Sequence, residues 1–371
     1  CGMEINMKET VNIKINQLPS KTWHWLKLNE TNFAWTDEAQ GCTIVKKEST
    51  ENEALSGGKE TAEALADIKA FEAVETGAGR QADCVFKAVA PERITAAAGR
   101  ERTNPVVYEI SGTDTASAGM LDIYAEETSR MTVVERFTKK SPEEKNLAFR
   151  TRMIAGKNSK IRLVQVIALG EEQTLLSDTG CVCDENAQVE LLQLFIGKGH
   201  VYNGVRTDLK GERADFQAQT GYLVQNTQLL DMNYIVNHIG KKTTSNVTAD
   251  GTLKDAAHKV FRGSIDFKRG ASGAKGTESE QVLLLGDDVI NQTIPLILCA
   301  EEDVEGNHGA AIGELDEETL LYFAARGIDK KHAEDIMTRA KLELLTHKID
   351  DEETKEFAAE QLSEVLTDDS L

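Results

Sequence analysis

The stretch from Cys299 to Gly327, CAEEDVEGNHGAAIGELDEETLLYFAARG, gathers the side chains best placed to do chemistry. Glu301, Glu302, Asp303 and Glu305 crowd five positions, and His308 follows between Gly306 and Gly309. Two glycines beside a histidine suit a tight backbone that exposes an imidazole, a group that titrates near neutral pH. The plainer reading is a loop histidine that shapes a turn. Cys181 and Cys183, in TGCVCD, would share one strand face and form a thiolate pair for a soft metal, but no second pair accompanies them and structural cysteines are expected. His238 and His258 lie in strand-like sequence and suit core or surface placement. There is no H-E-x-x-H and no G-x-S-x-G. SGGKET lacks the spacing of a phosphate loop, and Gly77, Gly79 and Ala82 match G-x-G-x-x-A without a buried strand ahead of them. No catalytic set emerges, and the residues alone leave the function open.

Composition narrows the class further. The chain has 371 residues, 40% of them hydrophobic and only 5% aromatic, which favours a core of Val, Ile and Leu over a ring-lined pocket. No apolar run approaches the roughly 18 residues of a membrane span, and no signal-peptide pattern is present, so a cytoplasmic protein with reduced thiols is expected. The formal charge is −20, and residues 301–371 hold 21 acidic and 7 basic residues, hence −14 of it. That balance argues against nucleic acid and favours a basic protein partner, or simply solvated helix faces.

The elements that must position these residues are mostly strands. Val11 to Asn16 alternates like a strand, and all three tryptophans (Trp23, Trp25, Trp35) follow within a small N-terminal unit. Residues 46–80 are charged and Gly/Ser-punctuated, with one weak amphipathic helix over 62–74, and DCVFKAV after them reads as strand. Then a repeat begins. TSRMTVVERF (128–137), NSKIRLVQVI (158–167) and NAQVELLQLF (186–195) share a pattern, with GERADFQAQT (211–220) as a looser fourth copy. Met131, Ile161, Val189 and Ala214 occupy one place in it, and Val133, Leu163, Leu191 and Phe216 the place two residues on. Strand-and-turn repeats of this length indicate a β-helix or the hairpins of a sandwich, and near-equal coils without helices between them favour the β-helix. Three helices close the chain: Asp316 caps the first, with Leu315 and Leu320 as a staple and Gly327 ending it, and Asp329 caps the second. The expected units are residues 1–81, 82–312 and 313–371.

Residues 258–276 and 281–328, HKVFRGSIDFKRGASGAKG and QVLLLGDDVINQTIPLILCAEEDVEGNHGAAIGELDEETLLYFAARGI, resemble the SufB/SufD family of iron–sulfur cluster assembly scaffolds. His308, Gly309, Ala310 and Gly313 carry the SufD-like form, and Gly306 stands where the SufB form has cysteine. The resemblance covers roughly residues 82 to 345. It implies a mainly β fold: a right-handed parallel β-helix core with a small N-terminal unit and a C-terminal helical domain. It also implies a non-catalytic scaffold that pairs with a SufB-like subunit and binds the SufC ATPase, with no tightly bound cofactor and no nucleic-acid or membrane partner. His308 would then be a transient iron or Fe–S ligand at a subunit interface. Leu320, Tyr322, Phe323 and Arg326 would lie in the ATPase-binding region. Two alternatives stay open: a SufB-like homodimer that nucleates the cluster itself, and a carbohydrate-acting β-helix protein.

Overall fold

Each copy of the repeat lays down one left-handed turn residue and the strand behind it. In the computed structural model, which describes residues 10–22, 25–36, 40–47 and 70–367, these coils build a mainly β molecule, 52% strand and 15% helix, wound as a parallel β-solenoid of about 8 turns. Ile161 lies between Met131 and Val189, and Leu163 between Val133 and Leu191, so equivalent apolar residues stack into ladders. The fourth copy corrects the sequence alignment: Val189 pairs with Phe216, not Ala214, and Leu191 pairs with Ala218. The reason lies in the turn. Asn158, Asn186 and Arg213 have φ of 57°, 55° and 59°, and each stands three residues before the ladder residue Ile161, Val189 or Phe216. Asparagine announces such a turn and arginine does not, so Gly211 misled the alignment by two residues. A slip of two preserves the inward face, which is why the fold itself was unaffected.

The coils form two nine-stranded sheets. The first runs from Val304–Gly313 at one edge to Thr43–Lys47 at the other, the latter pairing antiparallel with Val106–Ser111. The second runs from Ile290–Cys299 to Gln40–Gly41. Between them lies a core rich in Val, Ile, Leu and Phe. Parallel sheets are stable when both faces are covered, and here the outer faces are covered too. On the second sheet the antiparallel hairpin of Thr10–Ile15 and Thr31–Thr36 packs Ile13, Ile15, Phe33 and Trp35 against Ala118, Met120 and Leu176. Arg262 pins it, donating to the Leu28 carbonyl and the Asp231 carboxylate at 2.7 Å and to Thr31 Oγ1 at 3.0 Å.

On the first sheet, the helices Lys330–Thr346 and Glu352–Thr367 bury Leu342, Leu345, Leu362 and Val365 against Val134, Val164, Leu192 and Leu194. The caps follow expectation: Asp316 accepts from Thr319 N at 2.7 Å, Asp329 from His332 N at 2.9 Å, and Gly327 has φ 76°. Two expectations change. Asp83–Phe86 is a helix rather than a strand, with Val85 and Phe86 buried. The helix expected over 62–74 falls largely outside the described residues.

Candidate functional site at the open end of the solenoid

A solenoid ends where no further coil stacks on it. The last strands, Ile290–Cys299 and Val304–Gly313, are each hydrogen-bonded on one side only, and every residue of Val304–Gly313 after Val304 is exposed. His308 therefore sits in an edge strand, not in the tight turn its glycine neighbours suggest. Its imidazole is exposed because nothing covers the coil beneath it. Gly276 pairs with Gly306, Glu278 with His308 and Glu280 with Ala310, so these residues share one face. That face looks into the lumen, since a Cβ on Gly306 would lie 3.0 Å from the Phe267 ring and 3.1 Å from Ile297. Cys299 pairs with Phe267 on the opposite sheet and is exposed as well. His308 and Cys299 thus both belong to the rim of the lumen.

Charged residues floor this mouth. Lys259, Glu278 and Glu280 are buried, at 0%, 5% and 2% exposure. Lys259 Nζ pairs with Glu280 Oε1 and donates to Thr293 Oγ1 at 3.3 Å, while Thr293 Oγ1 donates to Glu280 Oε2 at 2.6 Å. Tyr222 OH donates to Glu280 Oε1 at 3.3 Å. The Glu278 carboxylate has no hydrogen-bond partner among the described residues, and it fills the space above Gly263, where a Cβ would lie 1.9 Å from Oε2. Burial, reinforced by the charge of Glu280, pushes its carboxyl up to about 8. Burial also draws the Lys259 ammonium below its usual range, against the pull of Glu280. None of the three is marked by its local sequence. Two carboxylates at alternate positions in KGTESEQV look like a solvated strand face until register places them inside.

Other candidates fall elsewhere. Cys181 and Cys183 are buried with their sulfurs 3.6 Å apart, and each other's proximity and burial hold the Cys181 thiol far above its usual range. They are packed as core. His238 is buried between Thr243 Oγ1 at 2.8 Å and Ser245 Oγ at 2.9 Å, and His258 faces Gln292 Oε1 at 3.2 Å. The helix Glu317–Ala324 buries no residue: Leu321 is 70% and Tyr322 55% exposed, Leu320 and Phe323 are half-buried, and the Arg326 guanidinium lies 3.5 Å above the Tyr322 ring. Among the described residues, no three His, Cys, Asp or Glu groups come close enough together to hold a metal ion. No helix there is long and apolar enough to cross a membrane.

The solenoid thus carries exposed groups on its last strand, charged groups beneath it and a following helix that buries no residue. Residues 108–341 match the family model for the SufBD core domain of SUF-system FeS cluster assembly, and the chain belongs to the SufB/SufD family. It is 26% identical over 230 residues to the iron–sulfur cluster assembly protein SufD of Bacillus subtilis (strain 168), covering 62% of this chain and 53% of that one. It is 25% identical over 235 residues to a chloroplastic SufBD family protein of Arabidopsis thaliana, covering 61% and 42%. SufB of Bacillus subtilis matches at 26% over 168 residues, 45% and 36% of the two chains. The chain thus spans about half or less of the length of these relatives.

Proposed function

We propose that this chain is a SufD-like scaffold subunit of a cytosolic SUF assembly complex, on which an iron–sulfur cluster is built and then released. The observation that carries the reading is the placement of His308 on an uncovered edge strand, at the rim of a mouth floored by carboxylates. Neutral imidazole is a competent iron ligand. A single chain offers too few donors at that rim, so a second molecule supplies the rest: a SufB-like subunit, or another copy of this chain. Two open sheet edges, Ile290–Cys299 and Val304–Gly313, favour docking there, since unpaired strand edges are templates for a partner strand. The SufC-type ATPase takes the helix Glu317–Ala324, whose Leu321 and Tyr322 are 70% and 55% exposed. ATP hydrolysis belongs to that partner.

The test is anaerobic reconstitution of the chain with and without a SufB-like subunit, followed by iron and sulfide determination. His308→Ala should remove the bound iron while leaving the complex assembled. Iron retained in full by His308→Ala defeats the reading. A stable cluster on the isolated chain would instead support the homodimeric, cluster-nucleating form. For the ATPase surface, Tyr322→Ala with Leu321→Asp should abolish co-purification of the ATPase. Deleting the whole tail is less informative, because it would strip the cover from Val164 and Leu192.

A further inference from the structure

A different polar region lies on the outer face of the second sheet, far from the mouth in coil order. A cleft of about 910 Å³ opens there beside residues 72–91. Five arginines line it, Arg80, Arg93, Arg150, Arg152 and Arg206, beside the carboxylates of Glu72, Glu75, Asp83 and Asp208. Register explains the grouping. Arg93, Asp122, Arg152, Gly180 and Arg206 form one row across neighbouring strands. Arg150 stands two residues along from Arg152 and so shares its face. The chain segment around Glu75 crosses this row above Gly180, where a Cβ would lie 2.6 Å from the Glu75 carbonyl oxygen. Gly77 and Gly79, the two glycines of the G-x-G-x-x-A spacing, border the same cleft.

Most of these guanidiniums are matched. Arg152 holds Asp122 with two bonds, at 2.8 and 2.9 Å, and Arg206 pairs with Glu75 at 2.5 Å. Arg150 is not fully matched. Its side chain is only 8% exposed, with Nε on Asp178 at 2.8 Å, Nη1 on Asp83 at 2.8 Å and the Phe86 ring 4.3 Å from the guanidinium. Its Nη2 is buried without a hydrogen-bond partner. Arg93 also lines the cleft, with its side chain 38% exposed, and its ion pair among the described residues is made through Nε, at 3.4 Å from Asp122. A buried guanidinium donor left empty is costly, and planar guanidinium forks suit phosphate and carboxylate groups. Asp83 is 59% exposed and, among the described residues, makes one ion pair, with Arg150, so an incoming anion can replace it. Phe86, Val89, Pro91 and Met120 supply an apolar wall for an organic portion.

We infer that this cleft binds a small molecule bearing a phosphate-like oxyanion, which displaces Asp83 from the Arg150 guanidinium and meets Arg93 over the Phe86–Met120 wall. The inference is independent of the reading of the mouth. The test is calorimetric titration of the full chain with inorganic phosphate and pyrophosphate, against chloride at matched ionic strength. Saturable binding should be seen with both oxyanions, tighter for pyrophosphate. Arg93→Gln should weaken it about tenfold, the loss of one charge-assisted contact. Asp83→Asn, which removes the competing carboxylate from an exposed site, should tighten it about threefold or more. His308→Ala should leave it unchanged. No saturable heat at millimolar anion, an effect that chloride reproduces, or binding indifferent to both Arg93→Gln and Asp83→Asn overturns the inference.

Discussion

The middle and the mouth of one lumen hold their carboxylates differently. In the middle coils, Glu135 accepts from Thr151 and Gln165, each at 2.7 Å, and Gln193 donates to Gln165 at 2.6 Å and to Asn203 at 3.0 Å. Asn203 in turn donates to Tyr234 OH, which meets Thr220 Oγ1 at 2.7 Å. This internal chain links its members to one another, as a buried polar network in a packed core must. At the mouth, Lys259 and Glu280 are paired but the Glu278 carboxylate has no hydrogen-bond partner among the described residues, and His308 stands in solvent. The difference follows position. A middle coil has neighbours above and below to complete its hydrogen bonds, and the last coil has one neighbour only. An interior network can therefore be tuned for stability, while the end coil keeps donors and acceptors that another molecule can complete.

The strongest way to break this contrast is at the floor of the mouth. Lys259→Ala would leave Glu280 buried beside Glu278 with no cation, and removing one partner of a buried pair costs about 3–5 kcal/mol. Urea denaturation at pH 7 should show that loss. A loss under about 1 kcal/mol would mean water already reaches this floor and that the mouth is not a dry site.

The middle network should answer to pH. Burial holds the Glu135 carboxyl up to about 7, against a usual value of 4.5. Its raised folded value makes the protonated form the favoured one, so stability is full below about 4.5 and falls as pH rises through 7. The span corresponds to about 3 kcal/mol. Glu135→Gln, which keeps the shape and stays neutral, should match the wild type near pH 4 and exceed it by about that amount above pH 8. Parallel denaturation curves at all pH values would show that Glu135 stays ionised in the fold.

His238 has the opposite sign. Burial lowers its imidazole to about 4 from 6.5. The unfolded chain takes up the proton first, so stability is lost as pH falls from about 6.5 to 4, by about 3 kcal/mol at most. Replacing it with Gln, which can still bond Thr243 and Ser245, should flatten that acid limb at a modest packing cost. An unchanged acid limb in His238→Gln would assign the loss to other groups.

The repeat was legible because ladders need the same apolar residue types at the same coil position, and periodicity reports them directly. Capping was legible for a similar reason: Asp316 and Asp329 act within one turn of their own position. What lay beyond reading were features fixed by register between distant strands. Glu278 pairs with His308 across 30 positions of sequence, and nothing in either local stretch announces it. The turn at Arg213 hid for a related reason, since its left-handed backbone is imposed by the stacked turns beside it rather than by its own preference. The cleft arginines were invisible as a group, because their row is assembled from five separate strands. His308 is marked by its neighbours in sequence, but its setting is not, because GNHG has the composition of a turn and becomes a strand only through pairing with Gly276 to Ser279.

His308 itself sharpens the comparison with the smallest expected stability effect. It is exposed on a strand that one neighbour already holds, so His308→Ala should change unfolding free energy by no more than about 0.5 kcal/mol. His238, with the same ring, is packed 4.8 Å from the Phe267 ring and bonded at both nitrogens, so truncating it should cost several times more. Measured side by side, His238→Ala should shift the denaturation midpoint without touching iron uptake. His308→Ala should do the reverse, because an imidazole at the rim has its partner outside the chain. If both variants unfolded equally early, the rim would be part of the packed core and not a surface held open for another molecule.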